Sequence, residues 1–324
     1  MGRYSPEYLT KMTREPMSLS FIKRAIENKS ILESQVIGCD ENYTLTLNLG
    51  RNIIGKIPFT ELEYHYDKNE TTKIASAVSK VGKHVKYTPI SFEKNGEQII
   101  VNCSRRESQR VCFERLIKNL VPGDVIDARI IKVVGYGAFC DIGCGITALL
   151  PTNSISVTHV VDPVIALRYV HRIKVVVKDI DENYRIQLSH KELLGNWIEE
   201  TSRINVGDIM YGTVLSKEDY GIFIRISQNL SGLAEVSNLD INVGDLVSFK
   251  ILSIIPNNMK VKLLILEKIE LSEADMNRPN ETNMRFRYII KDGHINTWNY
   301  STPTAKKQIS SEFTYIDRPD AINE

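Results

Sequence analysis

The sequence predicts a mainly β protein of three consecutive small barrels, and three observations carry that prediction. Two motifs recur in one register: Gly123-Asp124-Val125 returns as Gly207-Asp208-Ile209, and Tyr136-Gly137-Ala138-Phe139 as Tyr220-Gly221-Ile222-Phe223, both 84 residues later. Within each copy, short runs rich in β-branched and apolar residues are separated by Gly, Asp and Asn, the punctuation of strands and turns. Finally, Ser-x-x-Glu sequences suited to helix starts close the first two copies.

In chain order, residues 1–29 hold an N-terminal helical segment with an amphipathic stretch over 14–28. Residues 30–104 form a degenerate first repeat, in which Tyr43 to Gly50 is followed by Gly55-Lys56-Ile57-Pro58. Its later part, Gly82 to Ser104, carries a hairpin with Asn95-Gly96 at the turn. Ser104-Arg105-Arg106-Glu107 then opens a linker helix over 105–120, with Phe113, Leu116, Ile117 and Leu120 at helical spacing and Pro122-Gly123 to stop it. The second repeat, 121–190, has strands in Val125 to Val134, Ala138 to Ile142, Ile173 to Ile180 and Arg185 to Leu188. Ser189-His190-Lys191-Glu192 opens a second linker helix over 191–204.

The third repeat spans 205–268. Ala148-Leu149-Leu150 corresponds there to Gly232-Leu233-Ala234, and Ile173 to Ser189 corresponds to Ser248 to Leu264 with the offset reduced to 75. Residues 269–324 comprise a polar linker at 270–284 and a small β element that includes Phe286 to Ile290 and Trp298 to Tyr300. About five strands in about 70 residues suit a closed Greek-key barrel of OB type, which removes exposed sheet edges.

Composition narrows the function. In 324 residues, 42% are apolar and 25% charged, which excludes bulk disorder. Lys plus Arg (41) nearly balances Asp plus Glu (40), so nucleic-acid contact must come from a local patch or from stacking. No apolar run approaches the ~18 residues of a membrane span and the start is polar, which predicts a cytoplasmic protein without membrane contact. Five cysteines, an odd number, fit reduced thiols.

Cys140 and Cys144 have no second pair at zinc spacing, and the six histidines are scattered, so neither a metal site nor a catalytic constellation is predicted. Gly143-Cys144-Gly145-Ile146-Thr147-Ala148 fits a dinucleotide fingerprint, but Pro151 follows at once and no helix begins there. The roughly 55 residues after the third repeat are too few for a catalytic domain. No enzyme activity and no cofactor are expected.

The residues that carry chemistry are therefore sought on the barrel surfaces. Tyr136 with Phe139, and Tyr220 with Phe223, lie three apart around a glycine. A bulge there turns both rings to one face, a stacking platform for unpaired bases; the competing reading has one ring of each pair filling the barrel. Asp181 and Arg185 flank a tight turn, either as an exposed ion pair or with Arg185 on RNA and Asp181 orienting it. In the third repeat these places hold Pro256 and Lys260. Arg105, Arg106 and Arg110 lie in a locally basic helix, a solvated face or a set of phosphate contacts.

Gly123-Asp-Val, Tyr136-Gly-Ala-Phe139-Cys-Asp141-Ile, Ala148-Leu-Leu, Ile180-Asp181 and Arg185-Ile-Gln-Leu-Ser189 resemble the signature of the S1 RNA-binding domain, named after a ribosomal protein. The third repeat matches through Gly212-Thr-Val214, Tyr220-Gly-Ile-Phe223 and Gly232-Leu-Ala-Glu-Val-Ser237. The order of repeats further resembles short S1-like proteins of Gram-positive bacteria. The resemblance implies OB barrels that bind single-stranded RNA, with mRNA in translation as its natural source. It places the RNA-facing aromatic pair on Tyr136 with Phe139 and Tyr220 with Phe223, and the hairpin pair on Asp181 with Arg185.

The family's surface His is replaced by Pro58, Pro151 and Glu235 in the three repeats. In the first repeat Thr46 stands at the second aromatic position, leaving Tyr43. That repeat is expected to dock onto the small ribosomal subunit or another protein. The alternative function is a protein-interaction scaffold whose barrels do not bind RNA.

Overall fold

The computed structural model describes residues 4–7, 17–64, 70–167, 170–235, 239–270 and 286–314. The start of the helix expected over 14–28, most of the linker at 270–284, and Ser237 lie outside the described residues. Helix α1 (Leu19–Glu27) starts at Ser18, whose hydroxyl accepts the Phe21 N–H, and it buries Ile22 and Ala25. The first barrel follows as β1 (Leu32–Cys39), β2 (Leu45–Gly50), β3 (Ile53–Ile57), helix α2 (Glu70–Val78), β4 (His84–Asn95) and β5 (Gln98–Ser104). Helix α3 (Arg105–Arg115) leads to the second barrel: β6 (Val125–Val134), β7 (Gly137–Gly143), β8 (Ile146–Pro151), helix α4 (Pro163–Ala166), β9 (Arg172–Ile180) and β10 (Ile186–Ser189). After helix α5 (Trp197–Thr201), the third barrel comprises β11 (Ile209–Glu218), β12 (Gly221–Arg225), β13 (Ser231–Ala234), β14 (Leu246–Ile255) and β15 (Lys260–Lys268).

All three barrels are closed and share one strand order, first-second-third-fifth-fourth, with the third and fifth strands parallel. This is the five-stranded OB topology that the repeats predict. Strand alternation explains the closure: Leu45, Leu47 and Leu49 in β2, and Ile222 and Ile224 in β12, point inward and are buried, while their neighbours face out. Each such side chain contributes roughly 1.5 to 3 kcal/mol on leaving water.

Four local expectations shift. In the first barrel Asn95 pairs with Gln98, so the hairpin loop is Gly96-Glu97 with Gly96 at φ +61°, one residue later than predicted. Ser104 does cap α3, accepting the Glu107 N–H at 2.8 Å, but the Glu107 carboxylate turns to Arg110 and does not reach back. The helix expected over 191–204 is broken at Gly195 (φ +108°). A 3-10 turn at Lys191–Leu193 precedes it, and α5 follows with its own capping box from Asn196 and Glu199. Ser189 ends β10 and its hydroxyl donates to the Glu192 carboxylate at 2.5 Å.

The fourth shift is one of register. Ile180 pairs with Ile186, and Ile254 with Val261, so the offset is 74 before the hairpin and 75 after it. The third-repeat turn holds one more residue, around Pro256–Asn258 and the left-handed Met259. A single offset of 75 across β9 and β14 would have reversed inward and outward residues.

By proximity the chain falls into two compact units, one of residues 1–120 with 141–147, the other of 121–140 with 148–318. The second unit joins barrels two and three through a buried junction. Asn229, fully buried, accepts the Val157 N–H at 3.0 Å and donates to the carbonyls of Lys191 and Gly195 at 2.8 and 2.9 Å. The Tyr300 hydroxyl donates to the Asn229 carbonyl at 2.7 Å. Tyr300 belongs to the C-terminal segment, where β16 (Thr297–Asn299) pairs with β17 (Ser310–Glu312). Ile295, Trp298, Tyr300 and Phe313 of this segment share one core with barrel three. Phe286 to Ile290, expected as β, is no strand; it runs along barrel two, where the Tyr288 hydroxyl accepts the Lys174 N–H.

Candidate nucleic-acid interface

The two aromatic pairs are superimposable in kind. Tyr136 and Phe139 have ring centroids 6.2 Å apart at 87°, and Tyr220 and Phe223 6.2 Å apart at 88°. The tyrosines are 62% and 68% exposed and both phenylalanines are partly exposed. The competing reading, a ring inside each barrel, does not apply: Ala138, Cys140 and Ile142 fill barrel two, and Ile222 and Ile224 fill barrel three. The glycine between the rings makes this possible. Gly137 and Gly221 have φ +152° and +154°, and a Cβ at either would strike the carbonyl of Leu150 or Ala234. Each tyrosine therefore sits on the turn and each phenylalanine in the strand, on one side of the barrel.

At the hairpin, the Asp181 carboxylate accepts the backbone N–H groups of Asn183 and Arg185 at 2.9 and 2.7 Å. It shapes the turn and makes no ion pair with the Arg185 guanidinium among the described residues. Arg185 is exposed, as is Lys260 at the same place in barrel three. The corrected register puts Ile255, not Pro256, at the place that Asp181 holds in barrel two, so the third hairpin has no carboxylate there.

Arg105 is a correction. Expected as a phosphate contact, it is 1% exposed, with Nε 3.0 Å from the Glu7 carboxylate and Nη1 3.1 Å from the Leu62 carbonyl. Its charge is spent inside the protein, as a buried guanidinium requires. Burial alone would raise the pKa of Glu7, but Arg105 and Lys80 outweigh it and hold that carboxyl below its usual value. Asp141, in the same unit, is buried too; it accepts the N–H groups of Glu7, Gly143 and Gly145, and burial followed by the Glu7 charge pushes it up to about 7. Arg110 is exposed but held bidentately by Glu107 at 2.8 and 2.9 Å. Arg106 is partly exposed.

Motif matching missed the outward neighbours of the rings. On barrel three, Phe223 lies opposite Leu233 and Arg225 opposite Ser231, and Leu233 pairs in parallel with Lys262. On barrel two, Leu149 pairs in parallel with Gln187. Strand alternation, once the register is known, identifies all of these. In barrel one, Thr46 pairs with Lys56 and Lys56 with Asn102. Tyr43 is not alone there: Phe59, from the turn after β3, packs on it at 5.7 Å.

Residues 120–191 match the S1 RNA binding domain. Over most of its length the chain is homologous, at modest identity, to bacterial ribosomal protein bS1. It is 25% identical over 268 residues to the small ribosomal subunit protein bS1 homolog of Bacillus subtilis, covering 78% of this chain and 67% of that one. With bS1 of Staphylococcus aureus (strain COL) it is 24% identical over 277 residues, 82% of this chain and 68% of the other. It also matches the 4-hydroxy-3-methylbut-2-enyl diphosphate reductase of Clostridium acetobutylicum, 28% identical over 264 residues, 76% of this chain but 39% of the reductase. A solved multidomain protein with nucleic acid binding domains from Streptococcus pneumoniae covers 74% of each chain at 12% identity and a TM-score of 0.24. The domain match supports nucleic-acid binding. Among the described residues no helix is long and apolar enough to cross a membrane.

Proposed function

We propose that the protein binds single-stranded RNA, such as mRNA in translation, on barrels two and three, without catalysing a reaction. The observation that carries this reading is the duplicated edge-to-face pair of solvent-facing rings, Tyr136 with Phe139 and Tyr220 with Phe223. Unpaired bases stack on such rings for roughly 1 to 3 kcal/mol each, a gain that needs no net charge and suits a chain of +1. Duplex RNA hides those faces. Arg185 and Lys260 are exposed at the hairpin tips, and we assign them to the sugar-phosphate backbone. The likeness to a reductase takes in 39% of that protein and is compatible with a shared binding module.

Barrel one is proposed as the docking repeat, toward the small ribosomal subunit or another protein, because Thr46 interrupts its ring pair. Fluorescence anisotropy of a labelled single-stranded RNA against its duplex, with wild type and the Phe139→Ala/Phe223→Ala variant, tests the main reading. The expected result is preference for the single strand and at least tenfold weaker binding by the folded variant, about 1.4 kcal/mol. No binding by wild type at low salt would leave the scaffold reading in its place.

A further inference from the structure

The two ring platforms are alike, but the residues beside them are not. In β12, Ile222 and Ile224 are 1% and 0% exposed in the barrel core, so Phe223 and Arg225 face outward together, two residues apart. Ser231 is paired with Arg225, Leu233 with Phe223, and Lys262 lies beside Leu233 on the parallel strand β15. The face next to the third platform thus carries Arg225 and Lys262, with Lys260 at the hairpin end of the same strand. At the equivalent places, barrel two has Asp141 and Gln187, and barrel one has Asn48 and Asn102. Asp141 is moreover buried and fully engaged by three backbone N–H groups.

Neither Arg225 nor Lys262 has an ion-pair partner among the described residues. Arg225 is also partly buried, and desolvation lowers its pKa with no carboxylate to offset it. Arginine stays charged even so. A guanidinium partly removed from water and left without a counter-charge is an anion site in waiting, since desolvated charges are ordinarily paired.

Resting on the RNA-binding reading, we propose that Arg225 and Lys262 form a phosphate-binding track on barrel three, so that barrel three carries more of the salt-dependent part of the affinity than barrel two, which at the equivalent places has only the hairpin cation Arg185. The track takes consecutive backbone phosphates of a strand whose bases lie on Tyr220 and Phe223.

Binding of a labelled single-stranded RNA is measured by anisotropy from 50 to 300 mM KCl for wild type, Arg225→Gln/Lys262→Gln, Arg225→Lys and Phe139→Ala. For a single strand, every phosphate that a variant no longer neutralises flattens the plot of log K against log salt by about 0.7. The Arg225→Gln/Lys262→Gln variant is expected to flatten it by about 1.4. Arg225→Lys, which keeps the charge, is expected to retain the wild-type slope, and Phe139→Ala to bind more weakly at an unchanged slope. An unchanged slope in the double variant, with wild type binding normally, overturns the track and leaves RNA binding intact. No binding by wild type at 50 mM salt overturns both.

Discussion

At the scale of single residues, burial decides what each charge does. Arg105 and Arg225 are both arginines beside a barrel; one is paired to Glu7 in the interior, the other meets solvent with no counter-charge. The sequence placed Arg105 in a basic helix but could not show that Glu7, 98 residues earlier, reaches it. Arg225 went unnoticed because it matches no motif and becomes visible only when the alternation of β12 is known. His190 is a third case. It is fully buried, its Nδ1 lies 3.0 Å from the Ile155 carbonyl, and its ring stands edge-to-face on Phe286 at 4.3 Å.

Burial pushes the His190 pKa down to about 4 from its usual 6.5. The folded protein therefore holds a neutral imidazole where the unfolded chain takes up a proton. The resulting stability is present in full above pH 6.5, falls as pH drops through the window from 6.5 to 4, and is gone below it. At about 1.4 kcal/mol per unit the loss is about 3 kcal/mol. Asp141, raised to about 7, works in the opposite direction over the same window. Comparing wild type with His190→Gln cancels that contribution. In urea unfolding of the second unit between pH 7 and 4, wild type is expected to lose about 3 kcal/mol more than the variant; parallel pH profiles would contradict the assignment.

At the scale of elements, local chemistry was legible and long-range chemistry was not. The 84-residue offset holds across the first three strands of both repeats, and Gly137 and Gly221 meet the same constraint there, the carbonyls of Leu150 and Ala234 in the third strand. The register slipped where a turn gained one residue, a change that composition does not reveal. The linker after β10 matched a capping box, yet Gly195 ends that helix and Asn196 begins another. The role of the C-terminal segment lay beyond the sequence altogether, because its partners are distant. Tyr300 meets Asn229 71 residues away, and Ser311 donates to Glu192 119 residues away.

These interactions make the segment a brace for the second unit. Tyr300→Phe removes the hydroxyl and leaves the buried Asn229 carbonyl without that donor, at a cost of about 1 to 3 kcal/mol. Chemical denaturation is expected to show that loss with little change in RNA affinity when measured well below the transition. An unchanged midpoint would mean that the segment braces nothing.

At the scale of the whole molecule, the three barrels form a graded series on one topology. The first has Tyr43 and Phe59, with uncharged Asn48 and Asn102 at the places of Arg225 and Lys262 and one cation, Lys56, beside Asn102. The second has a full ring pair with Arg185 at the hairpin, and the third adds Arg225 and Lys262. Duplication supplied the platform, and divergence at outward strand positions, which leaves the core untouched, is free to differentiate the copies. Balanced net charge over the whole chain conceals this local gradient.

The central claim is that bases lie on the two ring pairs, and photocrosslinking tests it most directly. A single-stranded RNA carrying 5-bromouridine is irradiated with the full chain, digested, and the attached residues are read by mass spectrometry. The account predicts crosslinks at Tyr136 or Phe139 and at Tyr220 or Phe223, suppressed by excess single-stranded competitor and spared by duplex. Crosslinks confined to other surfaces, with these four rings unmodified, would contradict it.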